Sequence, residues 1–174
     1  MQKNINYGDA AGLTKSTLCY IIKDDKILLA MKKRGFGEGY WNGYGGKQIP
    51  GESIEDTAKR ETKEEIGIEA LELEKVATLT FLFPEAPKDK KWNQEVSVFI
   101  IKRWHGEPKE SDEMKPQWFR ISEIPYDRMW DDDKYWLPMI ASGKKLHGLF
   151  VFGRDFKSKE MSIEEESTGA PTKV

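Results

Sequence analysis

Three glutamates crowd one short run: Glu61, Glu64 and Glu65 in Arg60-Glu61-Thr62-Lys63-Glu64-Glu65-Ile66-Gly67-Ile68. On a helix, residues three and four apart are neighbours, so these carboxylates share one face or its edge. Like charges at that spacing repel and weaken an isolated helix. Arg60 alone does not neutralise three of them. A hard divalent cation with oxygen ligands, Mg²⁺ or Mn²⁺, is the natural counter-charge. The alternative is a solvated acidic face, and the helix by itself leaves both readings open. Just upstream lies Gly46-Lys47-Gln48-Ile49-Pro50-Gly51-Glu52, at the end of a stretch from Gly35 that interleaves glycines with Phe36, Tyr40, Trp41 and Tyr44. So glycine-rich a loop bends sharply or approaches something closely. Exposed backbone amides and carbonyls beside a carboxylate cluster can hold both a metal and a phosphate chain.

The elements that must position these groups are readable in outline. Ser53 to Glu65 predicts a helix: Ser53 caps it, Asp56 follows three residues on, and Gly67 ends it. Ile54, Ala58 and Thr62 give that helix a thin inward stripe. Ser16 to Ile22 and Ile27 to Lys32 predict a hairpin around Lys23-Asp24-Asp25-Lys26. Leu73 to Phe83 and Val96 to Arg103 read as strands joined by a charged, Pro-broken connection. Trp118-Phe119 before Ile121-Ser122-Glu123-Ile124-Pro125 reads as a strand running into a turn. Trp130 to Ser142 reads as a second helix, opened by Asp131-Asp132-Asp133. The pattern predicts an α+β domain, a mixed sheet packed between helices, over residues 15–157. Residues 1–14 read as a flexible extension and 158–174 as a polar, disordered tail.

Composition excludes several classes. The chain has 174 residues, 38% hydrophobic, with 28 basic against 30 acidic side chains. That suits one globular domain and argues against nucleic-acid or membrane-surface partners, which call for a basic excess. The lone Cys19 sits in the apolar run Leu18-Cys19-Tyr20-Ile21-Ile22 and reads as a buried thiol in a reducing compartment. With one Cys and two distant His, a structural zinc site has no ligand set. No apolar stretch spans a bilayer, and Met1 to Asn6 has no signal-like region, so the chain reads as cytoplasmic.

The loop and helix together resemble the Nudix box of the Nudix hydrolase family, with Gly46, Glu52, Arg60, Glu61, Glu64, Glu65, Gly67 and Ile68 all in register. Thr62 departs, standing where the family usually has an aliphatic residue. The resemblance extends to Met31 to Gly37, Trp41 to Lys47, Glu110 to Met114 and Met129 to Trp136. These look like the branch of 8-oxo-dGTP diphosphatases, homologues of bacterial MutT. Asp131 departs there, since that branch commonly has proline.

The resemblance implies a Nudix fold and Mg²⁺-dependent hydrolysis of oxidised purine nucleoside triphosphates to the monophosphate and pyrophosphate, sanitising the nucleotide pool. It implies a metal site of Glu61, Glu64, Glu65 and Glu113 with backbone oxygens of Gly45 and Gly46, and an Arg60 that orients Glu61. Which glutamate is the general base stays open. For the base it implies a pocket of Phe36, Asn42, Phe81 and Trp130, with Asp132 and Asp133 reading the Watson–Crick edge. Thr17, Lys32, Tyr44, Gly45, Gly46, Lys47 and Asp131 complete the expected substrate contacts. Two ionised aspartates would leave guanine O6 facing negative charge, so the pair is expected to share one proton. The plain alternatives are that the aspartates cap a helix, that Trp130 is core, and that Lys32-Lys33-Arg34 is a solvated turn. Trp41, Trp104, Trp118 and Trp136 read as packing. The expected partner is a small nucleotide, met by a monomer. The competing readings are a hydrolase of another nucleoside diphosphate linked to some group X, and a non-catalytic binding domain.

Overall fold

The computed structural model describes residues 12–167. Its elements are β1 (Thr14–Lys23), β2 (Lys26–Lys32), β3 (Trp41–Asn42), α1 (Ile54–Ile66), β4 (Glu69–Leu82), β5 (Gln94–His105), β6 (Met114–Arg120), α2 (Asp133–Ala141), β7 (Leu146–Phe152) and β8 (Ser158–Glu165). The expected hairpin forms, with Lys23 opposite Lys26 and Asp24 in the left-handed conformation that Asp tolerates.

The strands run in the order β3-β2-β1-β5-β4-β7-β8. β1 is parallel to β5 and β4 parallel to β7, while β4–β5, β1–β2 and β7–β8 are antiparallel. β6 lies along the whole of β2, from Lys26 to Lys32. β1 and β3 therefore share the other edge of β2, at Ile27–Leu28 and Ala30–Met31 respectively.

Alternate residues of the central strands feed two cores. Cys19, Ile21, Leu28, Ala30, Phe99 and Ile101 pack with Ala58 and Ile66 of α1. Their neighbours Tyr20, Leu29, Val98 and Ile100 pack with Trp136, Leu137 and Ile140 of α2. Strand side chains alternate between faces, and here both faces are covered, so the strands read as continuous apolar runs. This is the expected mixed sheet between helices. Thr62 is fully buried on the packed side of α1, and its hydroxyl donates to Ala58 O at 2.7 Å. The departure from an aliphatic residue is thus absorbed by a local bond.

The tail expectation is corrected. Residues 158–165 are not disordered: they form β8, paired antiparallel with β7 from Leu146↔Glu165 to Phe152↔Ser158. Ile163 packs against the α2-side core while most of its neighbours are exposed and charged. Charge on an edge strand blocks further pairing, which is why this strand reads as a solvated tail. Residues 168–174, and residues 1–11 of the N-terminal extension, lie outside the described part. The second helix begins at Asp133, with Trp130 to Asp132 forming the turn before it.

Candidate active site

α1 is held in place from both ends. Ser53 Oγ accepts from Asp56 N–H at 3.1 Å, and Gly67 closes the helix at φ 73°. Arg60 then ties the glycine loop to the acidic face. Its Nε and Nη2 grip Glu52 at 2.8 and 3.1 Å, Nη1 reaches Glu61 at 2.7 Å and Glu64 at 3.4 Å, and Nη2 donates to Lys47 O. Arg60 thus reaches Glu61, and it also grips Glu52, a contact the sequence did not suggest. The Arg60 fork, helped by the Thr57 hydroxyl, holds the Glu52 carboxyl well below the usual range.

Two glycines are required by contact rather than by turn geometry. A methyl on Gly45 would overlap the Thr17 carbonyl. A methyl on Gly46 would lie 2.5 Å from the Glu61 carboxyl carbon. Gly46 O accepts from Thr17 N–H at 2.9 Å, and Gly45 N–H donates to Glu65 Oε2 at 3.1 Å. The loop is therefore stitched to β1 on one side and to α1 on the other.

Burial pushes the Glu65 carboxyl up to about 7. The Gly45 N–H and Lys32 oppose the rise, while the charges of Glu61 and Glu113 add to it. Glu64 is the exposed member of the three, and Glu113 is half exposed in an ion pair with Arg34 at 3.2 Å. Among the described residues no three acidic, histidine or cysteine side chains already converge on one point that would hold an ion. The donors are nonetheless all hard oxygens, and the strained ionisation of Glu65 is what a divalent cation would relieve. The residues fit Mg²⁺ or Mn²⁺.

A cleft of about 360 Å³ opens beside Glu65. Thr17, Lys32, Phe36, Asn42, Gly45, Gly46, Lys47, Phe81, Trp130, Asp132 and Asp133 line it, bringing together most of the expected substrate contacts. Asn42 is fixed in orientation: its Oδ1 accepts from Gly43 N–H at 2.8 Å and lies 3.2 Å from the Tyr20 hydroxyl. Its oxygen is therefore committed, and its amide presents donors rather than the expected donor–acceptor pair.

Asp132 and Asp133 are 3% and 2% exposed. Asp132 Oδ2 accepts from Trp136 Nε1–H at 2.7 Å, and Asp133 Oδ2 accepts from Trp130 N–H at 3.1 Å. Neither bond is a cap of α2, so the capping alternative fails. Burial raises both carboxyls above the usual range, and the charge of Asp132 raises Asp133 further.

Two expected contacts are corrected. Tyr44 is fully buried in the α1-side core, its hydroxyl without a hydrogen-bond partner among the described residues, and it does not line the cleft. It bridges Cys19 across β1, and bridged residues point to the same face. Asp131 also turns away. Its Oδ2 accepts from Ser158 N–H at 2.9 Å and its Oδ1 takes Lys134 Nζ at 3.0 Å. Conversely, Trp136 lines the cleft, as do Tyr40, Phe83, Gln94 and Phe152. Trp136 stands four residues after Asp132 on a helix, a spacing that signals their contact.

The sequence matches the NUDIX domain family over residues 12–140. The chain belongs to the Nudix family. Among relatives of this Nudix hydrolase, the oxidized purine nucleoside triphosphate hydrolase of Mus musculus is 46% identical over 136 residues, 78% of this chain and 85% of the relative. The protein of the same description from Danio rerio is 43% identical over the same shares. Among solved structures, the mutator MutT protein of Bacillus halodurans superposes with TM-score 0.75 at 30% identity, over 87% of this chain and 98% of that one. The segment from Gly46 to Ile68, which carries the resemblance to the Nudix box, lies within the matched residues.

Proposed function

We propose that this Nudix hydrolase cleaves oxidised purine nucleoside triphosphates, 8-oxo-dGTP and 2-hydroxy-dATP among them, to the monophosphate and pyrophosphate. One observation carries the reading: two adjacent, buried aspartates, their carboxyls raised above the usual range by that burial, share a cleft with the Asn42 amide and Glu65. A guanine edge presents an acceptor at O6 and donors at N1 and N2. One protonated aspartate donates to O6 while its ionised neighbour accepts from the ring. A 2-hydroxyadenine edge has a donor where guanine has O6, and moving the proton between the two acids reads it as well.

Trp130 and Phe36 offer aromatic surface to the ring, and Lys32 and Lys47 bring positive charge to the phosphates. Arg60 fixes Glu61 toward the glycine loop. Glu65, whose carboxyl burial raises to about 7, would be returned to its ionised form by a divalent cation, which suits it to hold that cation. A divalent cation held by Glu61, Glu64, Glu65 and Glu113 with the Gly45 and Gly46 carbonyls would neutralise polyphosphate charge during attack by water.

The near-balanced charge supports small nucleotides as partners rather than nucleic acid or a membrane surface, and the buried Cys19 supports a reducing compartment such as the cytoplasm, where the chain would act as a monomer. Among the described residues no helix is long and apolar enough to cross a membrane. The test is a turnover panel of modified and normal triphosphates, ribo and deoxyribo, with pyrophosphate detection. The oxidised purines should exceed dGTP and dATP in kcat/KM by about tenfold or more, the scale of one well-placed polar discrimination, and chelation should abolish turnover. A preference for a nucleoside diphosphate sugar over every triphosphate would overturn the reading.

A further inference from the structure

The turn between β7 and β8 carries an unusual backbone. Phe156 has φ 56°, a left-handed conformation that suits Asp24, the other described non-glycine residue to adopt it, far better than a bulky aromatic. The turn is closed by Gly153 N–H to Lys157 O and by Phe156 N–H to Gly153 O, both at 3.0 Å. What the strain achieves is placement of a ring. Phe156 lies edge-on to Phe36 at 5.4 Å and to Trp130 at 6.1 Å, and it also packs on Trp92 at 5.7 Å. Phe36 and Trp130 line the cleft, whereas Phe156 does not.

Two residues further on, the same hairpin takes a second hold. Ser158 N–H donates to Asp131 Oδ2, and Lys134 and Lys157 approach Asp131 Oδ1 at 3.0 and 3.7 Å. Asp131 stands between Trp130 and Asp132. The segment is also closed on itself, since Trp130 N–H donates to Asp133 Oδ2 and Asp133 N–H to Trp130 O. A shift at Asp131 is therefore passed to both the aromatic wall and the acid pair.

We infer that Asp131 and the β7–β8 turn bearing Phe156 position the Trp130–Asp133 segment for base recognition, so that a hairpin outside the cleft sets how the cleft reads its ligand. The inference rests on the proposed reading of that cleft as the purine site. Asp131 and Phe156 are positioning residues, acting through Trp130 and its neighbours. Their effect belongs to substrate binding rather than to the chemistry at Glu61 and Glu65.

The test compares Asp131→Ala, Asp131→Asn and Phe156→Gly with the unaltered chain. Glycine at 156 removes the ring and suits the left-handed backbone, so the turn is kept. KM and kcat are measured on 8-oxo-dGTP, and hydrogen exchange is followed at the Trp130 and Asp133 amides. Asp131→Ala and Phe156→Gly should raise KM about tenfold with kcat held within about twofold, and Asp131→Ala should speed exchange at both amides about tenfold, the scale of one lost charge-assisted hydrogen bond. Exchange in α1 should not move. Asp131→Asn keeps an acceptor for Ser158 N–H and should restore both readouts. Unchanged KM and exchange would overturn the inference, as would parallel losses of kcat and Tm that Asp131→Asn fails to recover. If the unaltered chain leaves purine triphosphates intact, the proposed function falls, and the two amides alone decide whether the hairpin positions the segment.

Discussion

Trp136 Nε1–H donates to Asp132 Oδ2 at 2.7 Å across one turn of α2, with both side chains buried against the cleft. A helix-capping aspartate would spend that oxygen on a backbone amide. Here an indole takes it, and the carboxyl is fixed as part of a wall. Burial makes this acid resist ionising even though the indole bond favours the carboxylate, and pH dependence follows.

Raised folded-state values mean that the native chain binds protons more tightly than the unfolded one. The stabilisation this brings is complete below the ordinary aspartate range and is lost as pH rises through it toward about 6 for Asp132, and higher for Asp133. Tm should therefore fall as pH rises from about 4 through about 6 and beyond. Asp133→Asn should raise Tm at the alkaline end and leave it little changed at the acid end. kcat/KM should fall at alkaline pH, as the pair loses its one shared proton. A flat pH–Tm profile for both proteins would remove the shared proton from the argument.

Substrate choice tests the pair more directly. Asparagine fixes a donor at one position, so Asp132→Asn and Asp133→Asn should change the ratio of 8-oxo-dGTP to 2-hydroxy-dATP turnover unequally. Each mismatch should cost about 1–3 kcal/mol, the usual scale of a paired base-edge contact. Equal losses on both substrates, in step with stability, would make the aspartates structural.

Trp130→Ala should weaken purine triphosphate binding by about 1–3 kcal/mol if the indole stacks on the base. Tripolyphosphate, which has no base, should be handled alike by both proteins. An unchanged KM with a lowered Tm would return Trp130 to the core.

Neighbouring glycines should fail differently. Gly45→Ala drives a methyl into the Thr17 carbonyl, backbone against backbone, and should show mainly as lost stability. Gly46→Ala meets the Glu61 carboxyl, a side chain that can yield, and should leave folding largely intact while lowering kcat by about 10²-fold or more. Thermal melts alongside turnover separate the two, and identical behaviour would count against Glu61 as a group whose placement matters.

Glu61→Gln and Glu65→Gln should each lower kcat by roughly 10²–10⁴-fold, the range of general-base and charge-neutralising groups. Glu65→Gln should fold well, because it removes a carboxyl whose ionisation the site already opposes. Near-normal turnover with Mg²⁺ in either variant would move the active site off this helix.

The parts of the fold legible in sequence were those with local signatures. α1 announces itself through Ser53, its buried stripe and a left-handed Gly67. The acidic face was legible through spacing alone. β8 was not, because an edge strand with Ile163 as its inward contact carries little periodic signal and its charges resemble those of a solvated tail. Tyr44 illustrates a different limit: within an irregular glycine loop, one residue of parity decides between cleft and core. Three consecutive aspartates pose the same problem, since nothing in Asp131-Asp132-Asp133 says which one turns outward. The clamp of Arg60 on Glu52 needed the loop to close over eight positions, a geometry that the spacing permits but does not dictate.

Cys19 lies on β1, fully buried beneath α1, its thiol pushed up to about 12 by burial. Thiolates, not thiols, react with peroxide and electrophiles. A chain proposed to clear oxidant-damaged nucleotides thus keeps its one cysteine in its least reactive form, shielded from the very stress that generates its substrates. The same burial makes the sulfur a clock. An alkylating reagent reaches it only when α1 lifts from the sheet, so the labelling rate reports how often the acidic helix leaves its seat, and metal or nucleotide should slow that rate by holding the helix down.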